Sequence, residues 1–307
     1  MTAPDLPPSE RKAALFAGLF AYFLWGFVPI LIQQVGKQGP QAWEILTHRV
    51  IWGAVTAGIL VLLAKQGPQV LRVLTEPRTV GLLLLSASFV GLNWVLFIYA
   101  VNNGKVLETS LGYYINPLVN IAAGAVIFRE KLGRIALVAI ALAAIGVAVQ
   151  AVALGHLPWI SLILAFSFGA YGVVRKWVSA DAQAGLFVEC LLLGAPALAY
   201  IAWLEWHGGG HFTATPAAAF WLIMSGPITA GPLALFSWAA RRMPLSAMGF
   251  LQFIAPTISF FTGVAQGEAF RAIHAVSFAF IWLAAIVFMI GAVHGARVAK
   301  VAVVEPT

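Results

Sequence analysis

Apolar runs close to 20 residues long recur from one end of the chain to the other, each long enough to cross a hydrocarbon core of roughly 30 Å as an α-helix. Hydrocarbon offers no partner for backbone amides, so a segment of this kind must satisfy them internally, and helix is the conformation that does so. The composition agrees: 61% of residues are hydrophobic, 9% are charged and the mean hydropathy is +0.92. A soluble domain carries about 25% charge. Ten spanning helices are predicted, at about 12–33, 42–64, 79–100, 107–128, 134–154, 157–175, 182–204, 217–240, 246–266 and 272–296. The run after Arg11-Lys12 is too long for a signal-peptide core and is read as the first span. The expected class is an all-α polytopic membrane protein with almost no extramembrane domain.

The chain also repeats itself. Pro117 in Tyr113-Tyr114-Ile115-Asn116-Pro117-Leu118 has a counterpart at Pro256 in Gln252-Phe253-Ile254-Ala255-Pro256-Thr257. Glu44 in Glu44-Ile45-Leu46 matches Glu189 in Glu189-Cys190-Leu191, and Glu130 matches Glu268, all at separations of roughly 140 residues. The division falls near residue 155, giving repeats over 1–155 and 156–307 with five helices each. An odd number of crossings per copy inserts the second copy upside down, and inverted repeats are how many secondary transporters build alternating access.

A net charge of +7 invites a nucleic-acid reading, but the charges are dispersed along the connections. With the N-terminus inside, fourteen basic residues, from Arg11 and Lys12 through Arg129, Arg175 and Lys176 to Lys300, fall on the cytoplasmic side. Lys37, Lys105 and Arg271 fall outside, and Arg49 is left within a helix. That bias sets topology and places both termini in the cytoplasm. No nucleic-acid partner is expected. The stretch from Lys65 to Arg78 reads as a long connection. His207-Gly208-Gly209-Gly210-His211 resembles a metal site, but three glycines impose no ligand geometry, and it is read as a flexible external loop. Cys190, in an apolar run, reads as packing.

Arg49 is the sharpest candidate for chemistry. An arginine near a helix centre costs about 2.5–3.5 kcal/mol to insert, so it normally faces a cavity or a paired group. Glu44 and His48, four apart, share one helix face and suit a proton relay, a substrate contact or an interfacial capping pair. The second copy has Leu193 and Gly194 where the first has His48 and Arg49, so the charge is asymmetric. Tyr113, Asn116 and Asn120 form a polar stripe beside Pro117, repeated more thinly by Gln252, Ala255 and Ser259. Trp25 lines up with Gly18, Tyr22 and Pro29, and Asn93, Tyr99, Tyr171 and Trp238 add polar or aromatic groups on other spans. Gly226-Pro227 and Gly231-Pro232 predict a bent eighth span. Small residues crowd the fifth and tenth spans and suit packing between halves or between protomers equally, so a homodimer stays open.

Several strings are similar to the RarD-type EamA permeases of the drug/metabolite transporter superfamily. They are Tyr22-Phe23-Leu24-Trp25-Gly26, Glu44-Ile45-Leu46-Thr47-His48-Arg49, Asn93-Trp94-Val95-Leu96-Phe97-Ile98-Tyr99, Leu111-Gly112-Tyr113-Tyr114-Ile115-Asn116-Pro117 and Gly249-Phe250-Leu251-Gln252-Phe253-Ile254-Ala255-Pro256. The resemblance covers nearly the whole chain. It implies two inverted five-helix repeats, a bacterial inner-membrane location and the export or exchange of small molecules.

The expectation is therefore a secondary-type transporter with a central cavity between the repeats, working by alternating access. Arg49 would hold an anionic or polar group of the substrate, with Asn93, Tyr113, Asn116, Trp25 and Gln252 around it, and Glu44 and His48 as candidates for proton coupling. The nucleotide-binding loop Gly-x-x-x-x-Gly-Lys-Ser/Thr is absent, and neither cofactor nor metal is expected. The alternatives are an intramembrane enzyme acting on a lipid-linked substrate, with Glu44 and His48 as acid and base, and a membrane sensor.

Overall fold

The computed structural model describes residues 7–127, 129, 133–240, 242–243 and 251–304. Among them are eleven helices and no strand: α1 (Pro8–Gly36), α2 (Ala42–Leu63), α3 (Gly67–Leu74), α4 (Pro77–Asn102), α5 (Val106–Ile127), α6 (Arg134–Leu154), α7 (Trp159–Lys176), α8 (Ala182–Trp206), α9 (Pro216–Ala240), α10 (Ile254–Ala265) and α11 (Ala272–Val304). Eight of these, all except α3, α7 and α10, are long and apolar enough to cross a membrane. α7 carries Ser161, Ser167, Tyr171, Arg175 and Lys176, which lower its hydropathy. Glu130 and the first part of the expected ninth span lie outside the described residues.

One sequence expectation changes. The stretch from Lys65 to Arg78 is not a plain connection but contains α3, with Val70 and Val73 buried and Leu71 and Leu74 exposed. An eight-residue amphipathic helix is too short to show as a spanning run, and its apolar positions repeat over only two turns. α9 runs as one helix through both Pro227 and Pro232, so the expected bend falls within a continuous helix and not at a break.

The helices pack across the midpoint of the chain. α1 lies against α9 and α10, and α7 lies against α4 and α5. α2 packs on α8 and α9, α8 also meets α4, α5 meets α10, and α6 meets α11. One core accordingly gathers Val28, Ile45, Trp94, Leu164, Cys190 and Leu222 from six helices on both sides of residue 155. A second unites α5 and α6 with α10 and α11, around Leu111, Tyr114, Phe260 and Phe278.

Lipid is as apolar as leucine, so close helix approach relies on small residues and interhelical hydrogen bonds. Gly226 of α9 presses on the Trp52 carbonyl of α2, leaving no room for a Cβ. A Cβ on Gly112 would fall 2.8 Å from the Ser161 carbonyl oxygen of α7. Bonds reinforce these seams: the Ser110 hydroxyl donates to the Pro256 carbonyl at 2.7 Å, and Ser277 donates to the Gly146 carbonyl at 2.7 Å.

Candidate functional site

Seven consecutive residues of α2, from Glu44 to Val50, are buried, because α8 and α9 close around this end of the helix and α4 lies alongside. Arg49 is 7% exposed, and its guanidinium carbon stands 4.5 Å from the centroid of the Trp94 ring on α4. The indole face supplies a favourable quadrupole but accepts no conventional hydrogen bond. Arg49 Nε and Nη1 have no hydrogen-bond partner, nor do His48 Nδ1, Trp52 Nε1 and Asn116 Oδ1. No salt bridge reaches Arg49 among the described residues. Unsatisfied buried donors cost about 1–3 kcal/mol each, more when charged, so these open positions call for an explanation. Cys190 of α8 and the Tyr113 hydroxyl of α5 lie within electrostatic reach of the guanidinium.

Asn93 and Tyr113 stand together, but they already have partners. The Asn93 amide donates to the Leu164 carbonyl at 2.9 Å and to Ser167 Oγ at 3.1 Å, while its Oδ1 accepts from the Tyr113 hydroxyl at 3.0 Å. Asn93 thereby joins α4, α5 and α7. Asn116, one turn beyond Tyr113, is 9% exposed with its carbonyl oxygen unpaired.

Glu44 turns away from His48. Its Oε1 accepts from the backbone N–H of His211 at 2.7 Å, and its Oε2 meets His211 Nδ1 at 2.8 Å. His48 instead stacks on Phe212, with centroids 5.0 Å apart and planes at 11°. Phe212 also covers Trp52, at 6.1 Å and 23°. The segment expected to be a flexible loop is therefore fastened to α2. Gly39 completes the fit: its φ of +108° suits glycine, and a Cβ there would lie 2.5 Å from His211 Cδ2. The acid–base pair that an intramembrane enzyme would need from Glu44 and His48 is not assembled.

A second buried carboxylate, that of Glu189 on α8, is 1% exposed. It accepts from Ser86 Oγ of α4 and, at 3.4 Å, from the Tyr171 hydroxyl of α7, and it lies 3.8 Å from Arg175 Nη1. Near the start of α5, Glu268 accepts from the Val106 and Leu107 N–H groups at 2.6 and 2.8 Å. Burial raises the Glu268 carboxyl above its usual range against the opposing pull of those two amides. A cavity of about 960 Å³ opens between the ends of α1, α2 and α4, lined by Gln33, Lys37, Trp43, Tyr99, Asn102 and Gln266. Tyr99 belongs to this cavity and not to the Arg49 group.

Residues 12–151 match the model of the EamA-like transporter family. Protein RarD of Salmonella typhimurium is 43% identical over 94% of this chain and 98% of its own length. The chain belongs to the EamA-like transporter family, in its RarD-type branch. An uncharacterised transporter of Vibrio cholerae serotype O1 is 39% identical over 95% of this chain and 97% of its own. The transporter YojE of Bacillus subtilis is 37% identical over 95% and 98%. A solved chain, described only as a crystal structure of protein, superposes with a TM-score of 0.60 at 18% identity, covering 92% of this chain and 98% of its own. That likeness concerns the fold.

In this EamA-type membrane transporter Arg49 and His48 are neighbours on α2, Trp94 of α4 and Tyr113 of α5 lie within reach of the Arg49 guanidinium, and Asn93 of α4 bonds Tyr113. Trp25 stands 5.2 Å from Tyr22 and 5.6 Å from Phe236 by ring centroids, against the core that also holds Trp94. Gln252 is half-buried in the turn before α10. Neither hydrogen-bonds a member of the Arg49 group among the described residues. Sequence reasoning missed Trp94, Trp52, Phe212 and Ser86, and it named Tyr171 and Arg175 without their link to Glu189. Only Glu189 left a signal, as the counterpart of Glu44 in the duplicated frame.

Proposed function

We propose that this transporter carries a small molecule with an anionic or strongly polar group through a centre between two inverted five-helix repeats, by alternating access. The observation that carries this reading is Arg49, buried over Trp94 with two donor positions left open. A carboxylate or comparable acceptor that engaged either would offset a charge that is expensive in a low-dielectric interior. Trp52, one turn along α2, adds an unpaired donor, and Asn116, one turn beyond Tyr113 on α5, an unpaired acceptor. Asn93 and Tyr113 hold the walls in place.

The crossed packing supports ten spans in two repeats. If α1, α2, α4, α5 and α6 are matched in order with α7, α8, α9, α10 and α11, α1–α9 corresponds to α7–α4. Likewise α1–α10 corresponds to α7–α5, and α2–α9 to α8–α4. The pairs α2–α8, α5–α10 and α6–α11 each map onto themselves. Such a pattern is what a twofold axis between two copies produces. The positive-inside bias supports cytoplasmic termini with the loop carrying His211 outside, and the likeness to bacterial RarD proteins supports an inner-membrane location.

The test is ligand-induced thermal stabilisation of the purified protein against amino acids, other metabolites and antibiotics. Chloramphenicol belongs in the panel because a relative from Pseudomonas aeruginosa is named chloramphenicol-sensitive protein RarD. A compound that raises Tm for the wild type and not for Arg49→Ala supports the reading. A compound that stabilises both equally removes Arg49 from the binding site.

A further inference from the structure

The two halves of the chain each carry a glutamate at the matching place, Glu44 and Glu189, and both are buried in ties between elements. Their partners differ. Glu44 ties the first turn of α2 to the segment that follows α8, with one bond to a backbone N–H and one to the His211 ring. That tie brings Phe212 flat onto His48 and Trp52, the residues flanking Arg49 by one and three positions on the same helix. Glu189 ties α8 to α4 through Ser86 and to α7 through Tyr171 and Arg175.

The two ties lie on either side of the Arg49 centre. α2 and α8 run antiparallel, because Gly53 abuts Cys190 while Gly58, further along α2, abuts Phe187, earlier in α8. Glu44 therefore sits toward the end of α8 and Glu189 toward its beginning. Along α2, roughly 14 Å separates Glu44 from Gly53, which faces the residue next to Glu189, and Arg49 falls between them. Arg49 is 7% exposed and Cys190 1% exposed, so both side chains are shielded while both ties are made.

We propose that Glu44 and Glu189 are the fastening points of two separate closures over the Arg49 centre. Glu44, His211 and Phe212 close it from one face of the membrane, and Glu189 with Ser86, Tyr171 and Arg175 closes it from the other. The inference rests on the alternating-access reading and assigns its two gates. An inverted duplication produces this arrangement without further design: one ancestral glutamate, copied upside down, stands at two depths on either side of Arg49. Each tie is a small set of polar bonds across a seam, strong enough to hold a conformation and few enough to release together. Alternating access requires that one can open while the other stays shut.

Cys190 is the sole cysteine of the chain, is buried beside Arg49 and Gly53, and reports on either opening. The full-length protein would be treated with a membrane-impermeant methanethiosulfonate reagent, in right-side-out spheroplasts and in inside-out vesicles, with Cys190→Ser as the blank. The wild type should label slowly from both sides. Glu44→Gln and, independently, His211→Ala should raise the rate from one side by about tenfold or more, the scale of losing charge-assisted bonds. Glu189→Gln should raise it from the opposite side. His211 is partly exposed in a connection, so its substitution perturbs no helix core. Labelling of both variants from the same side overturns the proposal, as do unchanged rates in both. Labelling of one variant from both sides at once marks a general loosening of the bundle and overturns it too. No substrate is added, so the result stands apart from the thermal-shift test of Arg49, and failure of one does not imply failure of the other.

Discussion

Arg49 and Asn93 are both buried polar residues on spanning helices, yet they answer to different pressures. Asn93 makes three hydrogen bonds to α5 and α7, so Asn93→Ala should lower Tm whether or not ligand is present. Interhelical bonds in membranes average about 0.6 kcal/mol each, and stranded buried partners add to the loss. Asn116 leaves its carbonyl oxygen unpaired, so Asn116→Ala should weaken ligand-induced stabilisation while changing Tm of the free protein little. If the two variants behave alike, the division between wall and site is wrong. Arg49→Lys keeps the charge but loses the planar fork and the stacked face, and should bind ligand far more weakly than the wild type in the same titration. Sequence could single out Arg49 because a charge within an apolar run is anomalous anywhere along it. It could not separate Asn93 from Asn116, because both are asparagines on spanning helices and only their neighbours differ.

At the scale of elements, the seams explain where substitution should hurt. Gly226 touches the Trp52 carbonyl, so Gly226→Leu must push α9 off α2, and overpacking of this kind costs about 1–3 kcal/mol. A drop in Tm is expected, together with loss of ligand response, since the shift moves the helix bearing Arg49. Glu268 provides the pH-dependent seam. Burial, the largest cause, raises its carboxyl above the reference value of 4.5, so the folded state holds that proton more tightly than the unfolded chain does. The stabilising share of this linkage is complete below the unfolded pKa and is lost as pH rises through the higher folded value. The Tm of the wild type relative to Glu268→Gln should therefore fall as pH is raised from about 4.5. A flat difference would mean that the two α5 amides offset burial fully.

At the scale of the molecule, the most extensive packing crosses residue 155, so neither half encloses a core of its own. Fragments 1–155 and 156–307, expressed separately, should be degraded or aggregate, and expressed together should co-purify as a folded complex. Stable, monodisperse behaviour of either fragment alone would contradict the interdigitated architecture. The proposed inverted repeats can be checked by labelling in a Cys190→Ser background. Arg129→Cys and Ala269→Cys should react from opposite sides of the membrane, and reaction from the same side would rule out inverted insertion.

Sequence by itself determined the helical class, because hydrocarbon leaves an apolar run of span length no other way to satisfy its backbone. Its strings identified the RarD-type EamA family, and its one intramembrane arginine identified the residue with most to explain. Tertiary structure alone decided who meets whom. Glu44 and His48 share a helix face by periodicity, but periodicity says nothing about what that face meets, and His211 reaches Glu44 across 167 residues of chain. Ser86 finds Glu189 across 103. A hydrogen bond between side chains so far apart depends on the summed placement of every intervening helix. Local sequence patterns encode each helix, and only the packed bundle encodes the pair.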